Sequence, residues 1–317
     1  MKAVVIYEAG GPEKLIYTEV STPKVKEGWS LVKVKGFGIN HSEIFTRQGL
    51  SPSVKFPRIL GIECVGLIEE STDAQRLPVG AKVISIMGEM GRAFDGGYAE
   101  YALLPDEQIY PVETNLSWEE LAVVPETYYT AYGSILNLRI DENDSILVRG
   151  ATSGVGVACA KLLRAKYPKM IIDGSSRSDK KSAALQQVGF SDVIIDRGGK
   201  LQTDKKYDKI LELIGPATIK DSFKHLNARG IICSTGQLGG KWYLEEFDPI
   251  VDLAEDSYLT SFYSGNVKVE RLNAMFKFIE DNRVDVKPDK IFKLNEVSKA
   301  HAYLESSKSF GKVIVIN

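Results

Sequence analysis

A short apolar run, a turn of small residues and a helix-like stretch follow one another between Ser145 and Gly156. The turn is a relaxed form of the three-glycine dinucleotide pattern, with Ala151, Ser153 and Gly156 at its three positions. Small residues let the backbone approach a phosphate, and the first N–H groups of a helix carry the positive end of its dipole. The turn therefore predicts a pyrophosphate site, at which the Ser153 hydroxyl could also donate. Its expected contacts are Ala151, Ser153, Gly154, Val155 and Gly156.

The loop after the next apolar run, Gly174 to Lys181, indicates which nucleotide would bind. An acidic side chain at this place accepts from a ribose 2′-hydroxyl, whereas an arginine accommodates a 2′-phosphate. Two cations with two hydroxyls suit a phosphate dianion, which favours NADPH. If Asp173 occupied the acidic position, NADH would be favoured instead, and the loop could also be a solvated charge run at a helix start. The expected 2′-phosphate contacts are Ser175, Ser176, Arg177 and Lys181.

Length and charge exclude several classes of protein. At 317 residues the chain is long enough for two domains, and 44% hydrophobic with 26% charged residues is ordinary for a globular protein. A net charge of −2 gives no electrostatic reason to expect nucleic acid or an anionic membrane as a partner. No apolar run approaches the ~20 residues of a membrane span, and the first residues read as a strand and not as a signal peptide.

The cysteines and histidines show no metal-ligand spacing. Cys64, Cys159 and Cys233 lie far apart among apolar residues, which predicts buried, reduced thiols and a cytoplasmic protein. The histidines at 41, 225 and 301 are equally scattered, so no metal site is expected. His301 falls on an apolar helix face and is predicted to be packed there.

The elements that must position these residues change in character along the chain. Short strand-like runs separated by turns precede Ser117, where a capping-box pattern with Glu120 begins. Strands and helices then alternate, which predicts a parallel sheet with helices on both faces. Amphipathic helices around Leu272–Ile279 and Val297–Leu304 and a last strand follow. The predicted sheet strands are Ile146–Val148, Met170–Asp173, Val193–Ile195, Lys209–Leu213, Gly230–Cys233 and Tyr258–Phe262.

Seven segments in this order resemble the medium-chain dehydrogenase/reductase superfamily, and more narrowly its zinc-free, zeta-crystallin-like quinone oxidoreductase branch. The resemblance spans essentially the whole chain. It implies an α/β fold, in which a GroES-like, β-rich catalytic domain (1–120 and 265–317) receives an inserted Rossmann doubly wound parallel sheet (121–264). The segments are Met1–Val5, Gly38–Asn40, Leu60–Gly66, Gly96–Tyr101, Thr130–Tyr132, Gly150–Gly156 and Gly311–Val313.

The chain departs from the zinc-dependent members of that superfamily. It has Asn40 where they carry a cysteine, Ile62 where they carry a histidine, and Glu126 near the third ligand position. The four-cysteine structural zinc loop is also missing. Without a Lewis acid to stabilise an alkoxide, an alcohol dehydrogenase is not expected.

The resemblance also implies site residues. Asn40 would lie near the nicotinamide and polarise the acceptor or fix a water, which makes it the candidate catalytic residue, and Thr130 would contact the phosphate–nicotinamide end. His41 could supply a proton, although a surface or hydrogen-bonding role fits it better. Without the resemblance, Asn40 reads as a turn residue and Thr130 as a helix residue. The further cofactor contacts implied are Leu213, Gly236, Phe262 and Lys312; Phe45, Ile62 and Tyr128 would line the substrate pocket or, equally, pack in the core.

We therefore expect an enzyme that transfers a hydride from NADPH to a quinone or a similar flat conjugated carbonyl. One alternative is an NADPH-dependent reductase of enones or enoyl thioesters. Related enoyl reductases place a tyrosine proton donor after a Gln-Gly pair, whereas Gln48–Ser51 contains none. The other alternative is an NADPH-binding protein without turnover.

A homodimer is expected, because Tyr258–Phe262 would otherwise be an unpaired sheet edge.

Overall fold

The computed structural model describes residues 1–253, 256–306 and 308–317. Its contacts group the chain into two compact units, each described separately below. Unit 1 comprises residues 1–126, 265–273 and 286–317, and unit 2 comprises residues 127–264 and 274–285. The expected boundaries at 120/121 and 264/265 remain a prediction for the domains; the contact grouping puts the first division six residues later and assigns 274–285 to unit 2.

Along the chain, a β-rich segment comes first, and strands and helices alternate after it. The strands are β1 (Lys2–Ile6), β2 (Leu15–Glu19), β3 (Trp29–Gly38), β4 (Arg58–Ile59), β5 (Glu63–Glu70), β6 (Lys82–Ile86), β7 (Tyr101–Pro105), β8 (Tyr110–Pro111), β9 (Ser145–Arg149), β10 (Ile171–Ser176), β11 (Asp192–Arg197), β12 (Lys200–Leu201), β13 (Tyr207–Glu212), β14 (Leu226–Ser234), β15 (Tyr258–Ser261), β16 (Lys290–Lys293) and β17 (Val313–Ile316). The α-helices are α1 (His41–Arg47), α2 (Trp118–Val123), α3 (Pro125–Leu138), α4 (Gly154–Lys166), α5 (Ser182–Gln187), α6 (Ile219–Lys224), α7 (Pro249–Asp252), α8 (Val269–Asp281) and α9 (Val297–Glu305).

Unit 1 contains two sheets. One has the order β2-β1-β4, and the other has the order β16-β17-β3-β5-β6-β8, with β7 also pairing with β3. The last strand, β17, pairs antiparallel with β3 through Ile314 and Gly38. This pairing brings the C-terminal Gly311–Val313 segment beside the loop that starts at Ile39, although the two lie far apart in sequence.

Unit 2 is built on a sheet of order β12-β11-β10-β9-β13-β14-β15. All neighbouring pairs are parallel except β11–β12, which form an antiparallel hairpin. The predicted doubly wound parallel sheet is therefore confirmed, and each predicted strand is present within a few residues. The short strand β12 was not predicted, because two residues carry no periodicity. The sheet order reverses beside β9, and such a reversal leaves a crevice at the carboxyl ends of the strands.

The local signals in the sequence explain where helices begin. Ser117 and Glu120 form the predicted capping box of α2, and α8 buries Leu272, Met275 and Ile279. Helix α9 begins after Glu296, where a single 3₁₀ turn (Leu294–Glu296) ends. Across the described ranges, no helix is both long and apolar enough to cross a membrane.

Candidate cofactor and active site

The turn between β9 and α4 has the conformation that the sequence predicts. Gly150 adopts a φ of 88°, and a side chain on Gly156 would come within 2.7 Å of the Ala151 carbonyl oxygen. Ser153 is the N-cap of α4: its hydroxyl accepts from the Gly156 N–H at 3.1 Å and donates to the Gly150 carbonyl at 2.8 Å. Donation by this hydroxyl to a phosphate remains a prediction, and it requires the bond to the Gly150 carbonyl to open first. The N–H groups of Gly154 and Val155 begin the helix and have no intrahelical acceptor.

The four residues predicted to contact a 2′-phosphate lie on both sides of the carboxyl end of β10. Ser175 is 2% exposed, and its hydroxyl accepts from the Gly150 N–H at 3.1 Å. It therefore supports the turn and does not reach the loop tip. Ser176 is half-buried at the end of the strand and Arg177 is exposed just beyond it, while Lys181 is half-buried at the end of a 3₁₀ turn.

Asp173 does not lie where a ribose would bind. It is 1% exposed within β10, and its Oδ2 accepts from the Tyr207 hydroxyl at 2.9 Å and from Lys205 Nζ at 3.0 Å. Tyr207 begins β13, so this bond faces away from the carboxyl edge of the sheet. The NADH alternative therefore finds no support at Asp173; the charged residues of the Gly174–Lys181 loop are Arg177, Asp179, Lys180 and Lys181.

The loops after β13 and β14 approach each other closely. A side chain on Gly236 would come within 2.2 Å of the Leu213 carbonyl oxygen, and one on Gly215 within 2.4 Å of the Gly236 oxygen. The Thr235 and Gly236 N–H groups both donate to the Glu212 carbonyl, at 3.0 and 3.2 Å. Leu213 itself is 2% exposed. Leu213 and Gly236 therefore belong to one compact wall at the carboxyl edge of the sheet.

Three further expected residues of unit 2 are buried. The Thr130 carbonyl accepts from the Ser134 hydroxyl at 2.7 Å on α3. Phe262 packs edge-on against Tyr129, with ring centroids 5.7 Å apart. The hydroxyl of Tyr128 donates to the Asp285 carbonyl at 3.2 Å, and only 2% of Tyr128 is exposed. The core-packing interpretation of Tyr128 fits this geometry; its role in substrate binding remains a prediction, as do the cofactor roles of Thr130 and Phe262.

In unit 1, Asn40 lies in a cluster of buried charges. Its Oδ1 accepts from Lys312 Nζ at 2.6 Å, and its Nδ2 donates to Glu63 Oε1 at 2.9 Å and to Glu43 Oε1 at 3.3 Å. Lys312 also donates to Glu63 Oε1 at 2.6 Å. Both amide hydrogens of Asn40 thus go to carboxylates, and neither is left to polarise a carbonyl. A catalytic role for Asn40 remains a prediction, and it requires one of these bonds to open first.

Glu43 is the titratable member of that cluster. It is 1% exposed and accepts from the Ile62 N–H at 3.2 Å. Burial and, after it, the charge of Glu63 raise its pKa to about 7, although the Lys312 ammonium and backbone N–H groups oppose that rise. Sequence reasoning missed Glu43 and Glu63 as functional candidates, although Glu43 comes three residues after Asn40, and Glu63 follows Ile62 in a segment that carries the family resemblance.

The remaining expected residues of unit 1 lie around α1. Ile62 is 3% exposed, Phe45 is half-buried, and the rings of Phe45 and His41 are 6.5 Å apart. Burial lowers the pKa of His41, which keeps its ring neutral near pH 7. The substrate roles of Phe45 and Ile62 remain predictions.

His301 is packed, as its place on the helix predicts, and 0% of it is exposed. Its Nε2 lies 3.0 Å from the Tyr98 hydroxyl, and its Nδ1 lies 3.4 Å from Arg47 Nη1. Arg47 is in turn bound by both carboxylate oxygens of Glu305, at 2.8 and 2.9 Å. Burial and the nearby guanidinium lower the pKa of His301 to about 3.

Two of the three zinc-ligand positions of the wider superfamily do not hold the usual donors here. Asn40 and Ile62 replace the cysteine and histidine, and the Lys312 ammonium lies 2.6 Å from the Asn40 oxygen, where its charge opposes a divalent cation. Over residues 1–253, 256–306 and 308–317, no three His, Cys, Asp or Glu side chains meet as a metal site. The three cysteines are free and buried.

Comparisons with known proteins agree with this architecture. Residues 26–114 match the alcohol dehydrogenase GroES-like domain, and residues 188–315 match a family described as zinc-binding dehydrogenase. The quinone oxidoreductase of Pongo abelii is 26% identical over 332 residues, which cover 100% of this chain and 98% of that protein. The quinone oxidoreductase of Mus musculus is 30% identical over 259 residues, which cover 75% of this chain and 74% of that protein.

Among solved structures, a mycobacterial protein in complex with NADPH has the same fold. Its TM-score is 0.85 at 21% identity, and the match covers 100% of both chains. The wound sheet with its small-residue turn, the β-rich unit and the full-length sequence relationship lead to one conclusion. The chain belongs to the quinone oxidoreductase branch of the medium-chain dehydrogenase/reductase superfamily.

Proposed function

We propose that this protein is an NADPH-dependent reductase of quinones or similar flat, conjugated carbonyl compounds, and that it works without zinc. The observation that carries the proposal is the turn from Gly150 to Gly156 at the carboxyl end of a central parallel strand, where a pyrophosphate can meet free backbone N–H groups. The quinone oxidoreductases of Pongo abelii and Mus musculus support the choice of acceptor, and the NADPH complex of the mycobacterial protein supports the choice of nucleotide.

The residues of unit 2 would bind and discriminate the nucleotide. The N–H groups of Gly154 and Val155 would meet the pyrophosphate at the positive end of α4. Ser176, Arg177 and Lys181 would surround the 2′-phosphate, because hydroxyls and cations form charge-assisted hydrogen bonds with a dianion. Leu213 and Gly236 would form the wall against which the other half of the dinucleotide lies. When it is bound, NADPH supplies a hydride to the acceptor.

Reduction of a quinone to a hydroquinone by one hydride also takes up one proton. The oxygen that gains negative charge needs a nearby positive charge or a proton donor. In unit 1, the Lys312 ammonium donates two of its three hydrogens to Asn40 and Glu63, so one N–H is left for a further acceptor. Lys312 therefore suits charge stabilisation better than Asn40, whose amide hydrogens are both bound.

Oxidation of NADPH and, separately, of NADH should be followed with 1,4-benzoquinone, 9,10-phenanthrenequinone and a simple enone. Turnover of a quinone with NADPH preferred, and no loss of rate after treatment with a chelator, supports the proposal. Reduction of the enone alone identifies a C=C reductase. Binding of NADPH without reduction of any acceptor identifies a binding protein.

The nucleotide preference is tested by Arg177→Ala. We expect KM for NADPH to rise roughly tenfold, the equivalent of one lost charge-assisted hydrogen bond, with KM for NADH nearly unchanged. Lys169→Ala removes another exposed cation, before β10 instead of after it, and serves as the control. Equal changes in both KM values would contradict the assignment of the 2′-phosphate to this loop.

We also propose that the protein is a cytoplasmic homodimer that pairs through β15. This strand is at the edge of the unit 2 sheet, and Tyr258 and Leu259 on it are 57% and 39% exposed. An edge with unpaired backbone groups and apolar side chains suits two-fold pairing. Tyr258→Lys should give a monomer by light scattering, whereas Tyr7→Lys, at a residue 56% exposed in unit 1, should not. A monomeric wild-type chain would disprove the pairing.

A further inference from the structure

Arg149, the last residue of β9, is a fully buried cation with an extensive set of partners, and none of its side chain is exposed. A guanidinium has five N–H donors, and Arg149 uses them in four hydrogen bonds and one further ion pair. The hydrogen-bond acceptors are Asp196 Oδ2 at 2.8 Å, the Gly199 carbonyl at 2.8 Å, the Thr218 carbonyl at 3.1 Å and the Ser222 hydroxyl at 2.9 Å. Asp221 Oδ2 lies 3.0 Å from Nη2 as an ion-pair partner.

These acceptors come from opposite sides of β9. Asp196 and Gly199 belong to the hairpin that follows β11, whereas Thr218, Asp221 and Ser222 belong to the start of α6, after β13. In the sheet, β10 and β11 lie on one side of β9 and β13 lies on the other. In a doubly wound sheet, these sides are the two mononucleotide-binding halves. Arg149 therefore links one half to the other.

Glu212, at the end of β13, extends the same network to the loop that follows it. Its Oε1 accepts from the Ile214 and Gly215 N–H groups at 2.8 and 3.1 Å, and its Oε2 accepts from the Ser222 hydroxyl at 2.5 Å. Ser222 thus joins Glu212 to Arg149. The Leu213 N–H also donates to the Arg149 carbonyl at 3.1 Å. The N–H of Leu213 and the N–H of the next residue, Ile214, are consequently both bonded within this network.

Resting on the proposed function, we propose that Arg149 is a positioning residue for the dinucleotide, and that Glu212 and Ser222 act with it. Arg149 holds the start of α6 and, through Ser222 and Glu212, the loop after β13 against the hairpin of β11 and β12, and so fixes the wall against which the second half of NADPH would lie. Two of its four hydrogen bonds go to backbone carbonyls, so the network fixes main-chain positions directly. A buried ion cluster adds little net stability compared with apolar packing, which is consistent with a geometric role.

Arg149→Lys is the informative variant. Lysine keeps the charge but has three donors in place of five, so it cannot reach both loops with the same geometry. We expect the Kd for NADPH, measured by titration calorimetry on the full chain, to rise about tenfold. The Kd for adenosine 2′,5′-bisphosphate should change by less than about threefold, because the loop from Ser176 to Lys181 is not among the groups bound by the guanidinium.

Two further variants keep the test decisive if Arg149→Lys does not fold. Ser222→Ala removes one bridge, and should weaken NADPH roughly threefold without affecting the fragment. Tyr207→Phe is the matched control: it removes a buried hydrogen bond to Asp173 in the same unit but away from these loops. It should lower the melting temperature and leave the Kd for NADPH unchanged.

The outcomes separate the two proposals. If the wild-type chain does not bind NADPH, the proposed function fails and this inference fails with it. If the wild type binds NADPH, but Arg149→Lys and Ser222→Ala bind it as well as the wild type does, only the inference is overturned. Equal weakening of NADPH and of the fragment, or equal weakening in Tyr207→Phe, would also overturn it, because the effect would then be general loss of structure.

Discussion

The two units each bury a cation among carboxylates, and they satisfy it in different ways. Arg149 in unit 2 donates four hydrogen bonds, two of them to backbone carbonyls, and also forms an ion pair with Asp221. Lys312 in unit 1 contacts Asn40 and Glu63, and these side chains contact each other. A planar guanidinium can hold main-chain segments in fixed positions, whereas an ammonium is a point charge that can share its partners. The arginine cluster is thus suited to holding main-chain segments in fixed positions, and the lysine cluster to redistributing charge among its side chains.

The carboxylates of the two clusters differ in the same sense. Burial raises the pKa of Glu212, but Arg149, Ser222 and two backbone N–H groups oppose that rise. Glu43 Oε1 accepts from the Ile62 N–H at 3.2 Å and from Asn40 Nδ2 at 3.3 Å, and the pKa of Glu43 is raised to about 7. The hydrogen bonds to Glu212, at 2.5 to 3.1 Å, are shorter.

Arg149→Met should have the largest effect on stability. It leaves Asp196, Asp221 and Glu212 without their cation, and breaking such a buried pair costs about 3–5 kcal/mol. The free energy of unfolding in urea at pH 7 measures the loss. Lys209→Met is the control, since Lys209 lies 3.7 Å from Asp144 in a partly exposed pair. Similar losses in both variants would show that the hydrogen bonds and ion pairs of Arg149 add nothing.

Lys312→Met should cost less, roughly 3 kcal/mol at pH 7. Glu63 then loses its partner, but the cluster can respond by taking up a proton, because Lys312 is the group that holds down the pKa of Glu43. The loss should shrink when unfolding is measured at pH 5. Lys299→Met, which removes an exposed pair with Glu296, should change little at either pH. A loss that is independent of pH would contradict the idea of a proton-exchanging cluster.

Glu43→Gln should have the smallest effect, and its sign depends on pH. The folded-state pKa of Glu43, about 7, is above the ordinary glutamate value of 4.5, so the folded chain binds the proton more tightly. The wild type therefore loses stability as pH rises from about 4.5 to 7, by about 2 kcal/mol between pH 5 and pH 7. Glutamine cannot titrate, so the variant should gain that amount relative to wild type over this range. Parallel stability curves would place the pKa of Glu43 near its ordinary value.

His301 must be separated from this test, because its pKa shift has the opposite consequence. Its folded-state pKa of about 3 lies below the ordinary histidine pKa of 6.5. The stability that its neutral form contributes is fully present above pH 6.5 and is lost as the pH falls from 6.5 towards 3. Both Glu43→Gln and wild type retain His301, so the difference between them isolates Glu43.

The sequence predicted the fold well because its signals are local. Alternating apolar runs, the capping box at Ser117 and the small residues before α4 each specify an element without reference to distant residues. The clusters could not be predicted in this way. Arg149 reads as a charged residue at the end of a strand, and its carboxylate partners Asp196, Glu212 and Asp221 are separated from it by whole elements.

The hydrogen bonds that sequence reasoning did not foresee in the candidate site have the same origin. Ser153 and Ser175 have the right residue type for phosphate binding, which remains a prediction, but the Ser153 hydroxyl donates to the Gly150 carbonyl and the Ser175 hydroxyl accepts from the Gly150 N–H. Asp173 has the right type for a ribose, but it faces Tyr207. Composition and spacing specify which groups are available, whereas hydrogen-bond partners that are distant in sequence decide which of them are already occupied.

The contact between Arg47 and His301 fixes a chemical detail of the imidazole. A guanidinium has no lone pair, so the Nδ1 that faces it must be the bare nitrogen, and Nε2 must carry the hydrogen that points to the Tyr98 oxygen. The ring is thereby held as a single tautomer. The chain has three histidines, so nitrogen-15 labelling of this residue type gives a spectrum simple enough to assign. His301 can then report, through the shift of one ring nitrogen, when unit 1 begins to open.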